Sequence, residues 1–301
     1  MKMRILITGG TGLIGRRLCV ALDALGHDLT VLSRRPALVK EKCGHNVTPM
    51  ASLNDWSDEQ RFDAIINLAG EPIVDARWTD KRKQKLISSR VGLTTQLIEK
   101  IAQAKQKPAV MLSGSAIGIY GDSGDALLNE TAPAAHDFSA RLCHEWEAAA
   151  GKVKVYGTRL CLLRTGLVLD ASGGILYKML LPFKLALGTR LGDGRQWMSW
   201  IHIEDYVAIV VALLENTEAS GAYNMTAPVA VNNAEFTRTL ASELHRPAFF
   251  VAPAWLLRKA MGEMSVLLLG GQRIIPERVL AMGYRFRYPE LRLALSALLK
   301  G

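Results

Sequence analysis

Near the start of the chain, Thr8-Gly9-Gly10-Thr11-Gly12-Leu13-Ile14-Gly15 packs four glycines into eight positions. Gly10, Gly12 and Gly15 read G-x-G-x-x-G, and Gly9, Gly12 and Gly15 also read G-x-x-G-x-x-G. The chemistry suited to such a segment is the capture of a pyrophosphate. Glycines admit the dihedrals of a tight turn and leave room for the anion. A following helix would offer its first free N–H groups and a partial positive charge. The apolar run Arg4 to Thr8 precedes the glycines, and helical spacing from Leu13 to Leu25 follows them. That strand–turn–helix setting makes the motif a dinucleotide signal. Gly9, Gly10, Thr11, Gly12, Leu13, Ile14 and Gly15 are therefore the first candidate cofactor residues.

The end of the next strand discriminates between dinucleotides. Thr30-Val31-Leu32-Ser33-Arg34-Arg35-Pro36 has no carboxylate to hold a ribose 2′-OH. Ser33 and Arg34 suit a 2′-phosphate, through a hydroxyl contact and a bidentate guanidinium. The competing reading is a loop solvated by two arginines. The pattern favours NADP over NAD.

Other chemistry-bearing residues are scattered. Cys19, Cys43, Cys143 and Cys161 lack C-x-x-C spacing, and the six histidines lack an H-x-x-x-H pair. A reduced, cytoplasmic protein with no metal site and no disulfide framework is the expectation. The net charge of +9 raises a nucleic-acid reading. However, the basic residues are dispersed apart from Arg77, Lys81, Arg82, Lys83 and Lys85, which read as a solvated helix face. A small anionic ligand accounts for the charge as well, and no nucleic-acid partner is expected. No apolar run approaches the ~18 residues that span a bilayer, and the N-terminus does not read as a signal peptide. No membrane partner is expected.

The elements that must position these groups follow from hydrophobic period. Short apolar runs at 4–8, 27–32, 64–68, 109–113 and 156–163 read as strands. Helical patterns lie at 13–25, along one amphipathic helix from Lys81 to Ala104, and around Glu145 to Ala150. Alternating strands and helices imply a doubly wound parallel α/β sheet. Past residue 165 glycine-rich loops appear, then a helix near Asp205 to Leu214 and a strand from Ala222 to Met225 rejoin the sheet. From Pro228 the pattern is mainly helical, with apolar faces at Trp255 to Met261, Val266 to Leu269 and Leu291 to Leu299. The expected organisation is a dinucleotide domain at 1–165, rejoined by 200–227. A smaller, mainly helical substrate-side lobe would comprise 166–199 and 228–301.

Several landmarks, in order, resemble the short-chain dehydrogenase/reductase superfamily in its extended epimerase/dehydratase form. They are the glycine turn, Asn67-Leu68-Ala69-Gly70, Ser113-Gly114-Ser115-Ala116 with Tyr120-Gly121, Gly192-Asp193-Gly194 with Trp200-Ile201-His202-Ile203-Glu204-Asp205, and Gly221-Ala222-Tyr223-Asn224. Ser88-Ser89-Arg90, Trp146-Glu147 and Pro276-Glu277-Arg278…Gly283-Tyr284…Tyr288-Pro289-Glu290 are similar to a narrower branch, the YfcH-type epimerase-family proteins. The resemblance implies a Rossmann fold. It also implies that Ser33, Arg34, Leu68, Ala69, Gly70, Arg90 and Val168 join the glycine turn at the cofactor. The family's two-helix dimer contact leaves monomer and homodimer both open, with the Lys81 to Ala104 helix as the element concerned.

The departure from the family is informative. Extended members use Tyr-x-x-x-Lys ahead of a helical Glu. Aligned on Glu147, the tyrosine position holds Ser139 and the lysine position Cys143. No ordinary environment brings a serine hydroxyl into the working range that a tyrosine of pKa ~10 reaches beside lysine. Ser115 matches the catalytic-serine position and could polarise a substrate oxygen, or simply pack at the strand end. Tyr120 reads as structural, Cys143 as an inert buried thiol, and His144 with Glu147 as a solvated helix face. His202 reads as a satisfied core histidine. Arg90 suits a phosphate or a substrate carboxylate. The expectation is an NADP(H)-binding oxidoreductase or epimerase-like enzyme on a small polar substrate. A non-catalytic NADP(H) redox sensor is the alternative.

Overall fold

The computed structural model describes residues 2–300. Strand β1 (Arg4–Thr8) is buried along four of its five residues. It pairs in parallel with β2 (Asp28–Leu32) on one side and β4 (Ala64–Asn67) on the other. With β3 (Thr48–Met50), β5 (Val110–Ala116), β6 (Arg159–Thr165) and β7 (Gly221–Met225), these form a seven-stranded sheet of order β7-β6-β5-β4-β1-β2-β3. All of its pairings are parallel. The strand order reverses at β1 and β4, which opens a crevice beyond their carboxyl ends. The fold is the doubly wound Rossmann type.

Side-chain alternation explains why helices cover both faces. Ile5 and Ile7 pack with Leu18 and Leu22 of α1 (Leu13–Ala24). Leu6, between them, faces the opposite way and joins Ile65, Met111, Leu97 and Ile101. These leucines and isoleucines are fully buried, each contributing about 2 kcal/mol of transfer free energy.

The expected helix from Lys81 to Ala104 starts one residue earlier, at Asp80, because the Thr79 side chain accepts the Arg82 N–H. It is also not uniform. Helices α2 (Asp80–Ile87) and α3 (Leu93–Gln103) are joined by a π-helical turn at Ser88–Gly92, a distortion frequent at functional sites. Asp137 caps α4 (Phe138–Gly151). The strand expected at 156–163 is displaced to Arg159–Thr165. Lys152–Tyr156 instead forms a 3-10 turn closed by Gly157 at φ +77°, and the strand begins only after this left-handed residue.

Between β6 and β7 lie α5 (Gly174–Lys184) and α6 (Ile203–Glu215), and α7 (Asn233–Glu243) follows β7. A further core unites Leu176 and Phe183 of α5, Trp200, Phe236 and Leu240 of α7, and Leu291 and Leu295. The run after Pro228 is not purely helical. Phe250–Ala252 is a strand paired in parallel with Thr189–Leu191, which the isolated Phe-Phe-Val pattern was too short to announce. The buried Asp205 carboxylate accepts the Tyr284 hydroxyl at 2.8 Å and the Arg287 and Tyr288 N–H groups at 2.8 and 2.9 Å, tying the C-terminal segment to α6. Among the described residues, no helix is long and apolar enough to cross a membrane.

His202 corrects the reading of a fully satisfied core histidine. Its Nδ1 accepts the Glu204 N–H at 3.1 Å, and its ring lies 3.8 Å from that of Tyr288. Its buried Nε2 has no partner among the described residues. Burial lowers the imidazole pKa below its usual value. The unfolded chain therefore binds this proton more readily, so stability rises with pH and falls as pH drops through ~6.5 towards the depressed native value. His202→Asn keeps an N-cap acceptor without the titration. Thermal midpoints measured from pH 7.5 to 5.5 should fall less in this variant than in the wild type.

Candidate functional site

The glycine turn crosses the β1/β4 switch point, and its glycines do different work. Gly9 has φ +72°, and a Cβ there would lie 2.7 Å from the Leu68 carbonyl carbon and 2.8 Å from the Ala69 nitrogen. A Cβ on Gly10 would meet Val31 at 2.7 Å, and one on Gly15 would overlap the Gly9 carbonyl oxygen. These three are required by the turn's own packing. Gly12 is different. It N-caps α1, and a Cβ there would approach only the Gly9 oxygen, at 3.2 Å. No side chain caps α1, and its first turn carries no acidic residue. The space in front of its free N–H groups is open, which is the requirement for an anion at a helix N-terminus.

The opposite wall is the end of β4. Thr8 Oγ1 donates to Asn67 Oδ1 at 2.7 Å and accepts the Ala69 N–H at 3.1 Å. Leu68, Ala69 and Gly70 are thereby held beside Gly9. Thr11, Leu13 and Ile14 are half-buried. Leu13 meets the 173–174 turn, where a Cβ on Gly174 would lie 2.9 Å from Leu13 and 3.7 Å from the Val168 carbonyl. This brings Val168 to the same mouth. Arg16 donates to the Ser172 hydroxyl at 2.7 Å, and Arg17 pairs with the buried Asp170 at 3.0 Å. These ties span more than 150 residues and left no local signal in the sequence.

Ser33 and Arg34 stand at the end of β2, where a 2′-phosphate contact would require them. Ser33 Oγ accepts the Arg35 N–H at 3.1 Å. The Arg34 side chain is 86% exposed and reaches Glu71 Oε1 at 2.6 Å. Glu71 was not anticipated. It follows Gly70, lies 3.5 Å from both Arg82 and Lys85, and donates its N–H to Ser89. The Arg34 hydrogen bond holds its carboxyl below the usual range.

Arg90 sits on the π-helical turn. Its guanidinium donates to the Glu71 carbonyl at 3.0 Å, lies over Trp146, and fills the space beside Gly70, where a Cβ would be 2.9 Å from Cζ. Arg90 thus braces the loop after β4, with only two of its donors engaged among the described residues.

At the end of β5, a buried polar chain replaces the solvated face expected around Glu147. Ser115 is 3% exposed and donates to Glu147 Oε1 at 2.6 Å. Arg164 on β6, paired with Ser115 across the sheet, binds both Glu147 oxygens at 2.9 and 3.0 Å. Arg164 also donates to the Tyr120 hydroxyl at 2.9 Å, which donates to Asn224 Oδ1 at 2.7 Å. Asn224 N–H in turn reaches Glu130 at 3.0 Å. Burial works against the Arg164 charge, but the Glu147 bonds more than offset it, so the guanidinium is held more firmly charged. Tyr120 is pushed above its ordinary value by burial, as a structural tyrosine would be. His144 is exposed and shares nothing with Glu147. Ser115, the expected catalytic serine, stands at the end of β5 with its hydroxyl donated to Glu147.

A model of the NAD dependent epimerase/dehydratase family matches residues 5–226. The chain belongs to this family. A domain of unknown function, DUF1731, matches residues 252–298. Among relatives, the epimerase family protein SDR39U1 of Bos taurus is 39% identical over 98% of this chain and 99% of its own length. The epimerase family protein YfhF of Bacillus subtilis is 38% identical over 99% and 98%. The crystal structure of human epimerase family protein SDR39U1 (isoform 2) with NADPH superposes with TM-score 0.91 at 36% identity, over 99% of both chains. A UDP-galactose 4-epimerase structure, at 18% identity and TM-score 0.74, shares the fold. The chain is thus an atypical extended member of the epimerase family.

Against the family's Tyr-x-x-x-Lys, the two positions here are buried and non-basic. Ser139 is 5% exposed, and its hydroxyl has no partner among the described residues. Burial, and then the Glu147 charge, push the Cys143 thiol up to about 12, while Arg90 and Arg164 pull it down. It stays a neutral thiol at physiological pH.

The Glu147–Arg164 pair sets an asymmetry that unfolding experiments can read. Glu147→Ala removes the carboxylate partner of a largely buried guanidinium and should cost about 2–3 kcal/mol. Ser115→Ala removes one hydrogen bond and should cost about 1 kcal/mol. Urea unfolding of both variants checks this order; equal losses would contradict it.

Proposed function

We propose that this protein binds NADP(H) across the β1/β4 crevice as an atypical extended short-chain dehydrogenase/reductase and carries out oxidoreductase or epimerase-like chemistry on a small polar substrate. The observation that carries the reading is the open, uncapped cradle in front of Gly12, in a turn whose other glycines are fixed by packing. NADPH in the human SDR39U1 structure supports it. The residues fit the cofactor. The first-turn N–H groups of α1 would take the pyrophosphate, with Thr11, Leu13 and Ile14 lining it. Leu68, Ala69 and Gly70 would flank the ribose side, and Val168 the opposite mouth. Ser33 and Arg34 would hold the 2′-phosphate, with Arg34 exchanging Glu71 for the stronger anion. Segments 166–199 and 228–301 would form the substrate side.

NADPH, when bound, supplies a hydride. The chain supplies position and charge. Arg90 places a guanidinium beside the Gly70 loop and over Trp146, a positive charge on the cofactor side of the site. Ser115, Glu147, Arg164, Tyr120 and Asn224 hold the end of β5 rigid. Burial raises the pKa of Tyr120 and Cys143, which makes each a weaker acid than its free form, and Ser115 donates its hydrogen to Glu147. The proton would come from solvent water. The same observation favours a second reading, a redox sensor that binds NADP(H) without turnover.

Equilibrium titration tests the reading. Arg34→Ala should weaken NADPH at least tenfold while leaving NADH unchanged, since a bidentate charged contact contributes about 1.5–3 kcal/mol. Gly12→Val should abolish binding of both with little loss of thermal stability. NADPH affinity unaffected by either substitution would overturn the proposal. Turnover of any carbonyl or alcohol substrate would remove the sensor reading.

A further inference from the structure

Two of the four cysteines meet beneath the glycine turn. Cys19 lies on α1, and Cys43 ends the short helix Val39–Cys43 that follows β2. Both are fully buried free thiols. The two side chains hydrogen-bond to each other, and the Cys43 thiol donates to the Gly10 carbonyl at 3.3 Å. The same helix end is tied to α1 a second time, where Asn46 donates to the Asp23 carboxylate at 3.4 Å. The other two cysteines face different chemistry. Cys161 donates to the Ala219 carbonyl at 3.3 Å, and the charges around Cys143 are those of Glu147, Arg90 and Arg164.

The paired thiols are not equivalent. The Cys19 hydrogen bond lowers the Cys43 pKa against the opposing effect of burial, and Lys42 lowers it further. The same hydrogen bond, then burial, raise Cys19. A thiol that ionises more readily, beside one that keeps its proton, is the arrangement of an attacking cysteine and its resolving partner. The segment carrying Cys43 is short. It runs for five residues between the 3-10 turn Pro36–Leu38 and Gly44, whose φ is +120°. It packs on β3, the edge strand of the sheet. Such a segment opens locally at less cost than the central strands, which gives a small oxidant its path.

We propose that Cys19 and Cys43 form a reversible disulfide on exposure to a peroxide, and that this bond weakens NADP(H) binding at the glycine turn. The Cys43 thiolate attacks one oxygen of hydrogen peroxide and the O–O bond breaks. Cys43 becomes a sulfenic acid, and the hydroxide released takes up the proton that Cys43 had lost. The Cys19 sulfur then attacks the Cys43 sulfur, and its proton joins the departing hydroxide as water. Two thiols and one peroxide thus give one disulfide and two waters, a two-electron oxidation. Bond formation draws the sulfurs to about 2.05 Å apart and leaves Cys43 with no proton for the Gly10 carbonyl. The turn has no slack to absorb this. A Cβ on Gly10 would meet Val31 at 2.7 Å, and one on Gly15 would lie 2.5 Å from the Gly10 Cα. The carbonyl loses its donor, and the pyrophosphate cradle moves with it. The effect on NADP(H) rests on the crevice reading above; the disulfide itself does not.

The test is treatment of the full chain with hydrogen peroxide, followed by alkylation, mass spectrometry and titration with NADPH. The oxidised chain should be lighter by two hydrogens and yield one crosslinked peptide joining Cys19 to Cys43. Its NADPH affinity should fall about tenfold, and dithiothreitol should restore it. Cys43→Ser, which keeps a hydroxyl for the Gly10 carbonyl, should hold its NADPH affinity through the same treatment. Cys19→Ala should stop at the sulfenic acid on Cys43, trapped there by dimedone. Absence of the Cys19–Cys43 crosslink would overturn the site. A crosslinked chain with the NADPH affinity of the reduced chain would overturn the coupling. Peroxide sensitivity of NADPH binding retained in Cys43→Ser would overturn its assignment to this pair. A reduced chain that binds no NADPH would overturn the crevice reading and with it the coupling, while the crosslink is read without cofactor.

Discussion

The backbone of Gly9 runs so close to the segment after β4 that one added methyl group would stand 2.7 Å from the Leu68 carbonyl carbon. This close approach brings the carboxyl ends of β1 and β4 together at the point where the sheet reverses its order. Thr8 and Asn67 lock it with a side-chain hydrogen bond. Asn67 then reaches Thr94 at 2.8 Å and Ser113 at 3.2 Å, and Trp146 donates to the same Thr94 at 3.0 Å. One backbone contact is thereby linked to α3, β5 and α4. The open N-terminus of α1 is the consequence: glycine is needed at three positions to fold the turn, and at the fourth to keep it empty.

The other organising constraint is electrostatic. Glu147 and Arg164 stand side by side at the end of β5, each about 12% exposed, and Ser115 and Tyr120 hydrogen-bond to them. Such a pair does little for net stability, yet either member alone would be costly. It therefore enforces one arrangement of Ser115, Tyr120 and Asn224. That rigidity is compatible with holding a flat cofactor. The family's relay positions hold a serine, Ser139, and a neutral thiol, Cys143.

Much of this was readable from residue order. The glycine turn, the alternating strands and the missing Tyr-x-x-x-Lys are local patterns, and local patterns survive in a sequence. What was not readable depends on distant partners. Arg164 and Asn224 gain meaning only when β6 and β7 place them beside Tyr120, and nothing near Glu71 in the chain marks it as Arg34's partner. Glu147 looked solvated because helical period says which residues share a face, not what that face meets. His202 looked satisfied because nothing in the sequence shows that only its Nδ1, and not its Nε2, finds a partner. The shift of β6 to Arg159 follows from the left-handed Gly157, a conformation any glycine can adopt and few do.

We propose that the chain's cofactor preference rests on Ser33 and Arg34, at a strand end that carries no carboxylate. The most direct measurement is the ratio of NADPH to NADH dissociation constants, read from nicotinamide fluorescence on the unmodified protein. The account predicts NADPH tighter by at least tenfold, a difference that added salt diminishes because the 2′-phosphate contact is exposed. Equal affinities, or tighter binding of NADH, would contradict it.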